Sequence, residues 1–364
     1  MLDNLDRTQT EAFKNCWIAL IDAISKDVSL PVDQIIGTPE GDELFRSIGY
    51  DNPDVLVLRW LRARKFDVDA AVQQLINTIK WRREWGVDEL LAKGENDLHP
   101  EEKVSGKTYF MGYDKEGRPV CYIHIRDHIK DQYPIEATEK LGLLSVETGR
   151  KLLEGSHETG SVVVDMNGFG MYNMDYQLVK FFIYLLENHY PESLGVVLVI
   201  HAPFLFQSCW MIIKRWLDPV VESKIHFLKH DDELTKYIDR SNIPRRLNGT
   251  HEDYKYTLPT DRDSAMLVAF RADKKGRKLA RSVHRKAARK YLDLTLRWAH
   301  GDNSKALIRE RKEATEQLRN AFEQLVPYVH TRTNYHRIGV INEPIFDITY
   351  DKILMKNDLN IVEF

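Results

Sequence analysis

An α/β body flanked by helical segments is the fold class this sequence predicts, on three observations. Short β-branched runs alternate with helical stretches between about residues 100 and 256. The first hundred residues carry apolar positions at helical spacing, and from about residue 257 two helical stripes follow one another across a short polar turn. The expected division is a helical N-terminal subdomain over 1–100, the α/β domain over 101–256, and a C-terminal helical hairpin with its tail over 257–364.

Each element has a local reason. Thr8-x-x-Glu11 has the form of a capping box, and Phe13, Trp17, Leu20, Ile21 and Ile24 follow on one helical face. After a Pro/Gly connection, Leu58, Leu61 and Phe66 suit a short helix, and Ala71, Leu75, Ile79 and Trp81 a second that ends near Gly86. KTYFMGY and RPVCYIHI, separated by the charged turn DKEG, predict a β-hairpin. GSVVVDMN and LGVVLVIHAP predict buried strands and IHFLK a fifth, with helices over Glu136 to Glu154 and Asp175 to His189. Leu279, Val283, Ala287, Tyr291, Leu294 and Trp298 then form a helical stripe, and HGDNS turns the chain. Ser304 is placed to cap a second helix bearing Leu307, Ala314, Leu318, Ala321, Phe322 and Leu325, so that a hairpin is appended to the α/β body.

Composition excludes several classes. With 364 residues, 43% of them hydrophobic, and 52 Lys+Arg against 55 Asp+Glu, the chain has ample material for a core and is not a disordered one. The longest nearly uncharged stretch, Leu194 to Phe206, falls short of the roughly 20 residues that span a bilayer. The start MLDNLDRTQTEAFKNCW lacks the basic flank and apolar core of a signal peptide, and a cytoplasmic protein is expected. Cys16, Cys121 and Cys209 are far apart and odd in number, which predicts buried reduced thiols.

Motifs for catalysis are missing: no GxSxG elbow, P-loop, HExxH or EF-hand loop occurs. Gly168-Phe169-Gly170 lacks the third glycine of a dinucleotide fingerprint, and His124 and His128 straddle a strand end where they would not share a metal. No enzyme, metal or cofactor is expected. What does stand out is PFLFQSCWMIIKRWL, from Pro203 to Leu217, apolar nearly all round with only Lys214 and Arg215 charged. Either it is a fully buried helix, or one face meets an internal cavity and the other a membrane surface. Lys224, entering the apolar strand IHFLK, needs to snorkel or to find an anion, either Glu192 or a ligand phosphate. Arg62 and Arg64 pose the same question, against a plain solvated helix face.

LRWLRARKFDVDAAVQQLINTIKWRREWG, DKEGRPV, VVVDMNGF, HYPESLG, and APF followed by LDPVVESKI and IPRRLNG occur in the order found in the CRAL-TRIO lipid-binding proteins. The chain resembles their fungal phosphatidylinositol-transfer branch, the Sec-fourteen type, over about residues 40 to 256. The resemblance implies a CRAL-TRIO lipid-binding fold, whose mixed sheet floors an apolar pocket for the acyl chains of one lipid. The helix around Gln207 to Leu217 would be a gate that opens at a membrane, with Phe204, Phe206, Trp210, Ile213 and Leu217 on gate and pocket. Arg64, Glu192 and Lys224 would hold the phosphatidylinositol headgroup, with Val221 where the best-known members carry a threonine. Phe110, Cys121, Gly160 and Val162, or with a one-residue slip Tyr109, Tyr122 and Ser161, match positions beside a second lipid's phosphate. The first set lacks the tyrosines and small hydroxyls of phosphatidylcholine carriers; the second could substitute for them, but an aromatic cage depends on ring placement, so weak phosphatidylcholine binding is expected.

The function so implied is a cytoplasmic carrier, peripherally bound to membranes, that transfers one phosphatidylinositol or presents it to a lipid kinase. The alternative is another apolar cargo in the same pocket: squalene, a sterol, tocopherol, or haem held by His201 or a pocket tyrosine. An esterase is the reading from a different class, and no nucleophile motif supports it.

Nine of the 52 basic residues crowd between Lys274 and Lys290, where no acid stands, so the remaining 43 face 55 acids. Such a basic helix fits an anionic membrane surface or a solvated or acid-docked face. Nucleic acid is the least favoured partner, because aromatic residues are sparse there.

Overall fold

Asp6, two residues before Thr8, caps the first helix. Its carboxylate accepts the Gln9 N–H at 2.8 Å while the Gln9 side chain accepts the Asp6 N–H at 3.1 Å, a capping box that Thr8 and Glu11 had been expected to make. The computed structural model describes residues 5–153 and 158–341, so Glu154 and the tail beyond 341 lie outside the described residues. In chain order the helices α1 (Arg7–Val28), α2 (Pro39–Ile48), α3 (Pro53–Ala63), α4 (Val68–Trp85) and α5 (Val87–Lys93) come first. Then follow α6 (Pro100–Val104), β1 (Thr108–Tyr113), β2 (Pro119–His124), α7 (Ile135–Lys151), β3 (Gly160–Asp165) and α8 (Tyr176–Asn188). The chain continues through β4 (Leu194–Ile200), α9 (Phe206–Ile213), α10 (Pro219–Ser223) and β5 (Ile225–Phe227). It closes with α11 (Asp261–Ala272), α12 (Lys274–Ala299), α13 (Lys305–Val329) and α14 (Asn334–Arg337).

These elements form two units: Met1–Lys93 with Pro259–Phe364, and Gly94–Leu258. In the helical unit, Phe13, Trp17, Leu20, Ile21 and Ile24 of α1 are buried with Leu44 and Phe45 of α2, Leu58 and Leu61 of α3, and Leu75 and Ile79 of α4. Tyr291, Leu292 and Leu294 of α12 and Leu307 and Leu318 of α13 belong to the same core. The C-terminal hairpin therefore completes the N-terminal helices, where the sequence suggested an appendage of the α/β body. A polar centre ties the segments together: Asp54 accepts Trp17 Nε1 at 3.0 Å, the Tyr291 hydroxyl at 2.9 Å and Arg311 Nη2. Ser304 caps α13 as expected, accepting the Leu307 N–H.

The buried stripe of α12 is Ala280, His284, Ala288, Tyr291 and Thr295, whereas Leu279 is 66% exposed. Of the expected stripe, Tyr291 and Leu294 are buried and Val283, Ala287 and Trp298 half-buried, so the stripe holds except at Leu279, and Ala280, His284 and Ala288 are buried beside it. Among the α12 cations, Arg285 donates to both Asp42 carboxylate oxygens and Arg289 to the Ile36 carbonyl at 2.7 Å.

The second unit is built on one sheet in the order β1-β2-β3-β4-β5, β1 antiparallel to β2 and each later strand parallel to the one before. Right-handed crossovers that always step in the same direction place their helices on one face. Accordingly the opposite face packs Tyr109, Tyr122, Val163 and Leu198 under Leu234, Ile238, Ile243 and Leu247 from the segment after β5.

Candidate functional site

Register decides which side chains share the helix-covered face. Phe110 pairs with Cys121, Cys121 with Val162, Val162 with Val197 and Val197 with Ile225, one transverse row across all five strands. Ile123, Val164 and Val199 run parallel to it one step along. Both rows are apolar, yet β3 alternates half-buried with buried residues, and Val162 and Val164 are among the half-buried ones. Val163 and Leu198 on the other face are wholly buried. An apolar face that lies beneath helices and still keeps uncovered surface can receive acyl chains.

The covering helices match that reading. Phe181, Phe182, Ile183 and Leu186 of α8 are only half-buried, and α9 buries Cys209 and Ile213 while Phe206 and Trp210 lie partly covered. The outer side of the same segment is open: Phe204 is 84% exposed, with Leu205, Met211 and Ile212 also exposed. A fully buried helix is thereby ruled out, and α9 has two apolar faces. Leu217 is half-buried just past the 3₁₀ turn that ends α9. The segment is moored there by the Lys180 ammonium over the Trp216 ring at 4.6 Å and by the Lys214–Glu222 pair at 3.6 Å.

Phe110, Cys121 and Val162 are thus brought together, and Gly160 opens β3 at its edge. Tyr109, Tyr122 and Ser161 are not with them, because a one-residue step turns a strand side chain to the other face. Ser161 is buried and donates to Asp114 at 2.6 Å, while the Tyr122 hydroxyl donates to the Asn242 carbonyl at 2.9 Å. All three cysteines are buried and free.

Lys224 stands immediately before Ile225 of the apolar row, half-buried, with Nζ on the Leu194 carbonyl at 2.7 Å. Among the described residues it has no carboxylate partner. Glu192 is exposed two residues before Leu194, so both belong to the same end of β4 and β5, without an ion pair between them. Glu192 holds a φ of 57°, a left-handed conformation that costs a residue with a Cβ roughly 1 kcal/mol or more. Val221 is half-buried on α10, three residues before Lys224. Arg64, in the helical unit, closes α3 and donates from Nε to Gln74 at 2.8 Å, its side chain otherwise exposed. Lys65 and Phe66 behind it are both left-handed, a tight reversal that ends α3 before Phe66 can join it.

One cluster escaped the sequence reading. At the carboxyl ends of β3 and β4, Asp165 lies 3.1 Å from His124 Nδ1 and 2.7 Å from His201 Nδ1, and His201 Nε2 contacts Asp231. Burial acts to raise the Asp165 pKa, but the two histidines outweigh it and bring it to about 2. For His201 burial acts downward, and the two carboxylates overcome it and raise the pKa. With both ring nitrogens engaged, His201 offers no lone pair to a haem iron. An acid closing β3 and a histidine following β4 were the available signal. Their meaning depends on strand alignment, which sequence does not print.

Among the described residues no helix is long and apolar enough to cross a membrane, and no group of three or more metal-ligating side chains occurs. The CRAL/TRIO domain model matches residues 103–249 and the CRAL/TRIO N-terminal domain model residues 25–77. A CRAL-TRIO domain-containing protein of Schizosaccharomyces pombe is 37% identical over 312 residues, which cover 83% of this chain and 69% of the relative. The phosphatidylinositol transfer protein CSR1 of Eremothecium gossypii is 32% identical over 323 residues, 85% of this chain and 73% of its own. The SEC14 cytosolic factor of Kluyveromyces lactis is 30% identical over 253 residues, 62% of this chain and 80% of its own. In fold, the chain is similar to the crystal structure of Sfh5, with a TM-score of 0.54 at 18% identity, covering 72% of this chain and 97% of that one.

Proposed function

The chain belongs to the CRAL/TRIO family, and from that premise we propose that it binds one phosphatidylinositol and transfers it between membranes. The observation that carries this reading is Lys224: a cation with no carboxylate partner among the described residues, joined in sequence to an apolar, half-covered row of the sheet. Acyl chains lie on the face of Val162, Val164 and Val197 beneath α7, α8 and α9. Lys224 supplies the charge-assisted hydrogen bonds that a phosphodiester accepts, and Glu192 accepts from inositol hydroxyls. Val221 adds only apolar contact beside them.

The two apolar faces of α9 suit a gate: Phe206, Trp210, Ile213 and Leu217 turn toward cargo and Phe204 toward the bilayer. The work is binding and release, with no bond made or broken, performed in the cytoplasm and peripherally at membranes. Presentation of the lipid to a kinase would use the same opening. The likeness to a protein named as a phosphatidylinositol transfer protein supports the choice of headgroup.

Transfer of labelled phosphatidylinositol from donor to acceptor vesicles tests the proposal. Lys224→Met and Lys224→Gln, each removing a charge from a desolvated phosphate, should slow transfer on the order of 30-fold or more. Variants that transfer as fast as the parent chain would sink it. Phe110, Cys121 and Val162 offer no hydroxyl to a choline phosphate, which favours an apolar second cargo such as squalene or a sterol over phosphatidylcholine. Mass spectrometry of the lipid that co-purifies separates those cargoes.

A further inference from the structure

Between Lys274 and Lys290 the outer side of α12 is single-signed in a way its neighbour is not, the exposed Asp293 following one turn later. Lys275, Leu279, Ser282, Lys286 and Lys290 recur at helical spacing, all exposed, on the side opposite the buried Ala280, His284, Ala288, Tyr291 and Thr295. Lys274 and Lys278 lie beside that stripe, whereas Arg277 and Arg281 fall on the buried side by helical spacing, and all four are exposed as well. Arg285 and Arg289 are held by Asp42 and Ile36, Asp42 also acts on Arg281, and Lys290 donates to Gln317 at 3.0 Å, whereas Lys274, Lys275, Arg277, Lys278 and Lys286 have no carboxylate partner among the described residues. On α13, by contrast, the exposed Lys305, Arg309 and Lys312 alternate with exposed Glu310, Glu313 and Glu316.

We propose that the Lys275–Leu279–Ser282–Lys286–Lys290 stripe of α12 is a docking face for an anionic bilayer surface. Cations without partners on a folded helix select a negative occupant, and each near an anionic leaflet adds to binding independently of any one lipid's identity. Leu279 selects among negative occupants. An aliphatic side chain 66% exposed amid lysines gains nothing from a phosphate backbone, but enters the boundary between headgroups and acyl chains. The stripe also holds no aromatic ring on which a base could stack, and Tyr291, the first aromatic residue of α12, is fully buried. The inference rests on the carrier reading only in making a bilayer the expected surface. It assigns that contact to an element outside the CRAL/TRIO match.

The test is sedimentation of the full chain with vesicles of phosphatidylcholine alone or mixed with phosphatidylserine, followed across a salt series. The parent chain should bind the mixed vesicles and release them as salt rises. Lys275→Gln, Lys278→Gln and Lys286→Gln together should weaken binding roughly a hundredfold. Removing the same charge from α13 by Lys305→Gln, Arg309→Gln and Lys312→Gln should weaken it only several-fold. Leu279→Gln should weaken vesicle binding and leave retention on heparin unchanged. Unchanged helix content and thermal midpoint establish that each variant is folded. Absence of binding by the parent chain, an α12 triple variant that binds as the parent does, or an equal loss from both triple variants overturns the proposal. Loss of heparin retention in Leu279→Gln to the same degree as vesicle binding overturns the choice of a bilayer. Phosphatidylinositol carried by the purified α12 variant should be unchanged, so an empty parent protein would count against the carrier reading alone.

Discussion

Replacing Arg311 by methionine interrogates the polar centre of the helical unit. Asp54 and Arg311 have side chains 5% and 13% exposed, and the guanidinium also lies over the Trp298 ring at 4.3 Å. Methionine keeps much of the apolar stem over that ring but leaves the carboxylate, among the described residues, with the Trp17 and Tyr291 donors. Deleting one partner of a buried pair costs about 3–5 kcal/mol, because solvent cannot reach the charge left behind. Two remaining donors place the expected loss near 3 kcal/mol. Urea unfolding at neutral pH, read by tryptophan fluorescence and by circular dichroism, measures it; two probes are needed because the two units need not unfold together. Adding Asp54→Asn removes the stranded charge and should recover at least half the loss. A single-variant loss under about 1 kcal/mol, the scale of an exposed pair, would refute the reasoning. So would a double variant as unstable as the two single losses added.

Two further outcomes follow from burial. His284 is buried, and desolvation holds its pKa down at about 4 from 6.5, so the unfolded chain takes up a proton that the folded chain does not. Its contribution is whole above about pH 6.5 and is lost as pH falls toward 4, approaching about 3 kcal/mol; His284→Phe should flatten the urea midpoint across that window, and parallel pH profiles would count against it. A Cβ at Gly142 would lie 2.3 Å from Phe182 Cζ where α7 passes α8, so Gly142→Ala should lower stability by about 1–3 kcal/mol and reduce the lipid carried per molecule; an unchanged thermal midpoint would show that the ring moves aside freely.

How far such features were legible differs with the kind of signal. The α1 stripe, the hairpin at DKEG, the stop at Gly86 and the Ser304 cap were readable because each is decided within a few residues. Asp6 displaced Thr8 because two overlapping capping patterns stood within one turn, and only one can begin the helix. The place of α12 and α13 in the N-terminal core was not readable, since Trp17, Asp54 and Tyr291 meet only through tertiary packing. α11 carries no amphipathic periodicity and gave no stripe to find. At the site, Lys224 was readable as a charge entering an apolar run. The separation of Phe110 and Cys121 from Tyr109 and Tyr122 by sheet face required the register. The Asp165–His201–Asp231 chain likewise waited on which strand ends are neighbours.

The order in which the helical unit receives its parts bears on how this chain is made. Arg311 meets Asp54 across 257 residues of sequence, and the apolar stripe of α1 has no complete core until α12 and α13 exist. A ribosome adding about 5–20 residues per second leaves that stripe without its partners for roughly 10 to 50 s while the sheet domain emerges and folds. Helix α1 is therefore made long before it is sealed. During that interval Phe13, Trp17 and Leu20 are open to aggregation or to a chaperone, so the sheet domain is finished before the unit in whose sequence it is embedded.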